Sequence, residues 1–174
     1  TTAIGLCQLF GVKIVVTCGS DDKCEAARGL GADLAINYRD QDYVEAVKTF
    51  TNGAGADVIL DMVGGDYLPR NLACLAEGGR HVTIAFQRGA KAEINIAQLM
   101  IRRQTLTGST LRARDTAFKA NLAQEIKATL WPKLNSGLWS PAMDQIFPYA
   151  RAAEAHQRMQ DGAHVGKIIL SFQG

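Results

Sequence analysis

The sequence predicts an α/β fold built on a doubly wound, mostly parallel sheet, and three observations carry that prediction. Short β-branched or aliphatic runs (KIVVTC, LAIN, DVILD, KIIL) recur along the 174 residues. Stretches of helical period separate them, and turns rich in glycine or capping residues, such as GSDD and NGAGA, mark the boundaries. Strands that alternate with helices at this spacing require right-handed crossovers, which place helices on both faces of the sheet.

Each element has a local justification. TTAIGLCQLFG reads as the middle of an amphipathic helix with Gly11 at its C-terminal end, so the chain is expected to begin inside a larger protein. Val12 to Cys18 forms a buried parallel strand closed by Gly19-Ser20. Ser20 then caps a helix whose first turn carries Asp21 and Asp22 and which runs to Gly31. Leu34 to Asn37 is a brief strand, Gln41 to Thr51 a helix, and Asp57 to Asp61 a strand. The alternation continues with a helix at Tyr67 to Leu75, a strand at Arg80 to Phe86, a helix at Ile96 to Arg103 and a strand at Leu106 to Thr110. A long helix follows at Thr116 to Leu134, with Phe118, Leu122, Ile126 and Leu130 on one stripe. A strand at Gln145 to Tyr149, a helix at Ala150 to Gln160 and a strand at Lys167 to Phe172 close the chain.

Composition excludes several function classes. Hydrophobic residues are 47% and charged residues 21% of the chain, which fits a cored globular domain and not a disordered one. The 19 Lys and Arg against 17 Asp and Glu leave a net charge of +2, too small and scattered for a nucleic-acid or membrane footprint. No apolar run approaches the roughly 20 residues of a membrane span. Cys7, Cys18, Cys24 and Cys74 form no CxxC pair and have no histidine at ligand spacing, so they read as reduced, mostly buried thiols of a cytoplasmic protein. His81, His156 and His164 are too scattered for a metal site, and none is assigned.

In such a fold, ligands bind beyond the carboxyl ends of the strands, so the turns after Cys18, Asn37, Asp61 and Ala85 are the places to search. An acidic residue at the end of the strand before GSDDK would accept bonds from a ribose 2′-hydroxyl and repel a 2′-phosphate. Cys18-Gly19 stands there instead, followed by the hydroxyl of Ser20 and the cation of Lys23, with the phenol of Tyr38 at the adjacent strand end. The competing reading makes Ser20 a helix cap and Lys23 a solvated cation, and Asp21 and Asp22 place negative charge against a phosphate. No strand followed by GxGxxG occurs in these residues. Asp61, at a strand end, invites a reading as a general base.

Four ordered segments carry a family resemblance: GSDDKCEAARGLGADLAINYRDQDY, GADVILDMVGGDYLPRNLACLAEGGRHVTIAF, LMIRRQTLTGSTLRAR and AHQRMQDGAHVGKIIL. They resemble successive parts of the zeta-crystallin-like quinone oxidoreductases of the medium-chain dehydrogenase/reductase superfamily, over essentially the whole chain. The resemblance implies one NADP-binding, Rossmann-like domain over residues 1–174, the C-terminal half of the protein, lacking the first strand and glycine-rich loop. Residues from about 115 to 174 would pack back toward the absent catalytic domain. It implies that Ser20, Lys23 and Tyr38 recognise the 2′-phosphate of NADPH beside Gly19, and that Thr1 lies by the pyrophosphate. Val63 and Gly64 would line the adenine-ribose side. Ala85 and Phe86 would approach the nicotinamide, with Leu111 and Arg112 beyond them; core packing is the alternative for Phe86 and Leu111. Because that family's hydride transfer uses no protein nucleophile placed in this half, the resemblance implies that Asp61 is a satisfied structural carboxylate; no catalytic side chain and no zinc ligand is assigned. The implied reaction is hydride transfer from NADPH to a quinone or related conjugated carbonyl compound, in a homodimer paired along the strand near Leu106 to Ser109. A medium-chain enoyl or alkenal reductase, and a non-catalytic nucleotide-binding module or remnant, are the alternatives.

Overall fold

The structure is a computed structural model and describes residues 1–172. It divides into two compact units: residues 1–39 with 124–174, and residues 40–123.

In chain order, the first unit opens with α1 (Thr2–Leu9), β1 (Val15–Cys18), α2 (Asp21–Gly29) and β2 (Leu34–Asn37). Gly11 ends the α1 segment at φ +65°, with the Val12 N–H closing back onto the Cys7 carbonyl at 2.8 Å. A positive φ is what lets glycine stop a helix there at little steric cost. β1 and β2 pair in parallel from Val15 opposite Leu34 to Cys18 opposite Asn37. Ile4, Cys24, Ala27, Ala32 and Ala35 form the core, with Ile14, Val16 and Cys18 packed against it. β1 begins at Val15 and not at Val12, because the residues before it are spent on the turn out of α1. All four cysteines are free thiols; Cys24 and Cys74 are buried, but Cys7 and Cys18 are only partly so.

The second unit contains α3 (Tyr43–Phe50), β3 (Ala56–Asp61), α4 (Tyr67–Cys74), β4 (Leu75–Thr83), α5 (Ile96–Ile101) and β5 (Thr105–Gly108). Its three strands form one parallel sheet in the order β3-β4-β5. The helix expected to end at Leu75 stops at Cys74, and β4 starts at once: Leu75 pairs with Ala56, and a register shift follows before Val58 meets Arg80. Gly55 makes that entry possible, since a Cβ there would lie 2.8 Å from the Ala76 nitrogen. The far end of β4 is corrected too: the strand stops at Thr83, with the Ile84 N–H making the last ladder bond to the Asp61 carbonyl at 2.7 Å, and the following residues are held in a turn by the Gln87 and Arg88 N–H groups on the Met62 and Val63 carbonyls.

α6 (Thr116–Thr129) carries the boundary between the units. The long helix expected to reach Leu134 is instead two, α6 and α7 (Trp131–Asn135), and α7 has a proline in its first turn. Pro132 lacks an N–H and cannot continue an interior helical ladder, but it suits a helix start. The stripe expected on the long helix does not seal a core: no α6 residue is buried, and Phe118 is 45% exposed. β6 (Met143–Pro148), a 3-10 turn (Tyr149–Arg151), α8 (Ala152–Gln160) and β7 (Lys167–Ser171) complete the first unit. The 3-10 turn delays the helix expected from Ala150 to Ala152. β6 and β7 form a separate parallel pair, fastened to α8 by Arg158 on Asp144. All strand pairing is parallel, as expected: β1-β2 and β6-β7 in the first unit and β3-β4-β5 in the second.

Candidate functional site

In the first unit the turn between β1 and α2 is built by capping. Ser20 has extended backbone, φ −161° and ψ 161°, and its Oγ accepts from the Lys23 N–H at 3.4 Å. This interaction uses an acceptor lone pair and leaves the hydroxyl proton free to donate outward, so the cap and a ligand contact are compatible. Asp21, whose charge counts against an anion site, is engaged from the other side by Asn37, whose Nδ2 donates to Oδ1 at 2.9 Å. Tyr38 lies directly over Gly19: a Cβ on residue 19 would stand 2.8 Å from the phenol oxygen. Glycine at that place is what lets the phenol reach the turn. The same Cβ position is 3.8 Å from an Arg39 guanidinium nitrogen, so a cation reaches the turn; Lys23 joins it through its backbone N–H, while its ammonium lies 3.9 Å from where a Cβ on Gly162 would stand. Sequence reasoning stopped at Tyr38 and missed Arg39; the adjacent cation in INYR was the available signal.

Gly19, Ser20, Lys23 and Tyr38 thus share one turn system. Thr1 does not join them. It precedes α1 without a side-chain capping bond and lines a small cleft with Gly5, Leu30, Trp139 and Ser140. The Trp139 indole fills the space that any side chain on residue 5 would need.

In the second unit the carboxyl ends of β3 and β4 are tied together. Asp61 is 4% exposed, and its Oδ1 accepts from the N–H groups of Val63 at 2.7 Å and Gly64 at 3.2 Å. That is the satisfied structural carboxylate expected from sequence. Arg88 donates its backbone N–H to the Val63 carbonyl at 2.8 Å, and its guanidinium pairs with Asp66 at 3.1 Å. Gly64, at φ +66°, faces the Gly89 carbonyl so closely that a Cβ would lie 2.7 Å from that oxygen. The resulting cleft is lined by Asp61, Gly64, Thr83, Phe86, Gly89 and Lys91, among others. Gly64 and Phe86 are therefore brought together, whereas Val63 and Ala85 flank the cleft through their chain neighbours. Phe86 is 63% exposed and Leu111 52%, which removes the core-packing alternative for both within this unit. Leu111 and Arg112 lie outside the cleft, with the Arg112 carbonyl held by Lys119 Nζ at 3.1 Å.

Behind the cleft runs a buried polar chain that no periodicity could reveal. The Tyr43 hydroxyl donates to Asn71 Oδ1 at 2.9 Å, and Asn71 Nδ2 meets His81 Nε2 at 3.2 Å. The same His81 nitrogen is 3.4 Å from Asp61 Oδ2. Burial lowers the His81 pKa against the opposing pull of Asp61, which keeps the fully buried ring neutral. Tyr43 is stacked on Tyr67 at 5.6 Å, and burial pushes its phenol above the normal range. These groups support the Val63-Gly64 turn from beneath.

Residues 1–128 match the family described as zinc-binding dehydrogenase. The chain belongs to that family. The quinone oxidoreductase resemblance is matched by relatives. A Burkholderia 2-haloacrylate reductase is 28% identical over 165 residues, 92% of this chain and 48% of that protein. Human quinone oxidoreductase is 28% identical over 171 residues, 96% of this chain and 50% of that protein. The crystal structure of Escherichia coli quinone oxidoreductase complexed with NADPH matches with a TM-score of 0.80 at 28% identity, covering 96% of this chain and 52% of that one. The chain spans about half the length of the curated relatives it matches. The α/β, Rossmann-like fold class is shared with these neighbours. Among the described residues no group of three or more His, Cys, Asp and Glu side chains is placed to hold a metal ion. No helix among the described residues is long and apolar enough to cross a membrane.

Proposed function

We propose that residues 1–174 form the NADPH-binding part of an oxidoreductase that reduces quinones or related conjugated carbonyl compounds. The observation that carries the coenzyme reading is the turn after β1: Gly19 follows a strand end with no acidic side chain, Tyr38 and Arg39 close over it, and Ser20 and Lys23 form the first turn of α2 beside it. A 2′-phosphate there would receive hydrogen bonds from Ser20 and Tyr38 and charge from Lys23 and Arg39. Val63 and Gly64 would line the adenine-ribose side of the coenzyme, and Ala85 and Phe86 would approach the nicotinamide. Thr1 would present the backbone N–H groups of α1 to the pyrophosphate, and Leu111 and Arg112 would complete the nicotinamide side.

When bound, NADPH supplies the hydride. The residues of this chain bind and orient the coenzyme, and none of them has to act as nucleophile or base. Residues from about 115 onward are assigned to packing against a catalytic domain, and the β5 edge to pairing in a homodimer; gel filtration giving a monomer at micromolar concentration would remove the dimer. A 2-haloacrylate reductase among the relatives favours a second reading, reduction of a conjugated alkene, which a substrate panel of quinones against enoates and enones would separate.

The coenzyme assignment is tested by Lys23→Ala. A charge-assisted contact is worth about 1.5–3 kcal/mol, so NADPH affinity should fall by roughly tenfold to a hundredfold while NADH affinity changes little. Equal loss for both coenzymes would contradict the assignment.

A further inference from the structure

Two thiols bracket the turn described above. Cys18 is the last residue of β1 and Cys24 lies in the first half of α2, so Gly19, Ser20 and Lys23 all fall between them. Cys18 packs against the core cluster that contains Cys24. Cys18 Sγ also points to the Lys23 carbonyl at 3.6 Å, and the Cys24 N–H closes the first helical turn on the Ser20 carbonyl at 3.0 Å. Their accessibility is unequal: Cys18 is partly exposed and Cys24 is 2% exposed.

We infer that Cys18 and Cys24 are a modification site, a dithiol that closes reversibly to a disulfide in exchange with a low-molecular-weight disulfide and so clasps the turn that binds the coenzyme phosphate. The Cys18 thiolate, the accessible one, attacks one sulfur of the small disulfide. That S–S bond breaks, and the first thiolate leaves and takes up a proton. The Cys24 sulfur, after losing its proton, attacks the Cys18 sulfur of the mixed disulfide and expels the second thiol. The two cysteines are oxidised and the small disulfide is reduced to two thiols; a reducing dithiol reverses the sequence. Burial, together with the neighbouring Cys24, pushes the Cys18 thiol up to about 11, so the attack is slow at neutral pH and the reduced form persists without sustained oxidant.

Closure has a structural consequence at the turn. The sulfurs must come to about 2.05 Å, which breaks the Cys18 contact with the Lys23 carbonyl and draws in the turn bearing Ser20 and Lys23. The loss of coenzyme affinity rests on the phosphate reading of that turn; the disulfide itself does not.

The experiment incubates the protein with oxidised glutathione, unfolds it, alkylates the remaining thiols and maps peptides without reductant. The expected result is a Cys18–Cys24 bond with Cys7 and Cys74 alkylated, and in Cys24→Ser a glutathione adduct that persists on Cys18. A lasting adduct on Cys18 in the unsubstituted protein, a bond to another cysteine, or four alkylated thiols overturns the inference. Cys18→Ser, at the partly exposed position, is the second variant and should leave Cys24 alkylated only after unfolding. In the same samples, NADPH affinity should fall about fivefold or more on oxidation, with NADH affinity altered less. A mapped disulfide with unchanged NADPH affinity overturns the clasp. Failure of the reduced protein to bind NADPH overturns the coenzyme reading and leaves the mapped bond standing.

Discussion

Gly64→Ala probes the close approach of the two strand-end turns in the second unit, with Gly78→Ala as its control. Both glycines have positive φ, +66° and +70°, so an alanine at either position costs roughly 1 kcal/mol for the left-handed backbone. The sites then diverge. A Cβ on Gly78 meets nothing within 4 Å, whereas one on Gly64 would lie 2.7 Å from the Gly89 carbonyl and 3.0 Å from Phe86 Cα. Both of those neighbours are backbone atoms, so relief requires the 86–89 turn to move. Such overpacking typically costs about 1–3 kcal/mol, and it also strains the Asp61 bond to the Gly64 N–H. Gly64→Ala is therefore expected to lose about 2–4 kcal/mol and Gly78→Ala about 1 kcal/mol in urea unfolding followed by far-ultraviolet circular dichroism. Equal losses for the two substitutions would refute the claim that the turns are in backbone contact.

Three further expectations follow from the same geometry. The His81 pKa is depressed in the folded protein, so stability is present above the unfolded value near 6.5 and declines as pH falls below it; in His81→Gln, melting temperature should lose most of its dependence between pH 7 and pH 5. Asp144 is held down at about 2 by Arg158 and the Val165 N–H, so its contribution, no more than about 1 kcal/mol once water on Arg158 is allowed for, should vanish as pH falls from about 4 through about 2. Asp144→Asn should flatten that acid limb in a pH series of thermal melts. Arg39→Ala should weaken NADPH several-fold, with the loss shrinking at high salt, and a loss independent of salt would argue against a charge contact.

The fold was legible wherever a strand coincides with a short aliphatic run between strong turn signals. Leu34–Asn37 is the clearest case, bounded by Gly31 and by the Asn37-Tyr38 turn. The N-terminal half of β4 was not legible, because Leu75 to Gly79 combines helical residues with two glycines, and only pairing with Ala56 makes it a strand. The break at Leu130 was carried by Pro132, yet the apolar stripe running through it outweighed a residue that belongs at a helix start. At the site, Ser20 and Lys23 could be read from the capping pattern and Tyr38 from its strand end. Arg39, the Gly64 approach to Gly89 and the chain from Tyr43 through Asn71 and His81 to Asp61 depend on residues 10 to 28 positions apart meeting in space, which local pattern does not encode.

The most direct test of the central claim is a side-by-side titration of the protein with NADPH and NADH by isothermal calorimetry. Two cations and two hydroxyls around one phosphate predict NADPH tighter by at least about tenfold, with a steep salt dependence that NADH lacks. Equal affinities, or tighter NADH, would contradict the assignment of the Gly19–Lys23 turn to a 2′-phosphate.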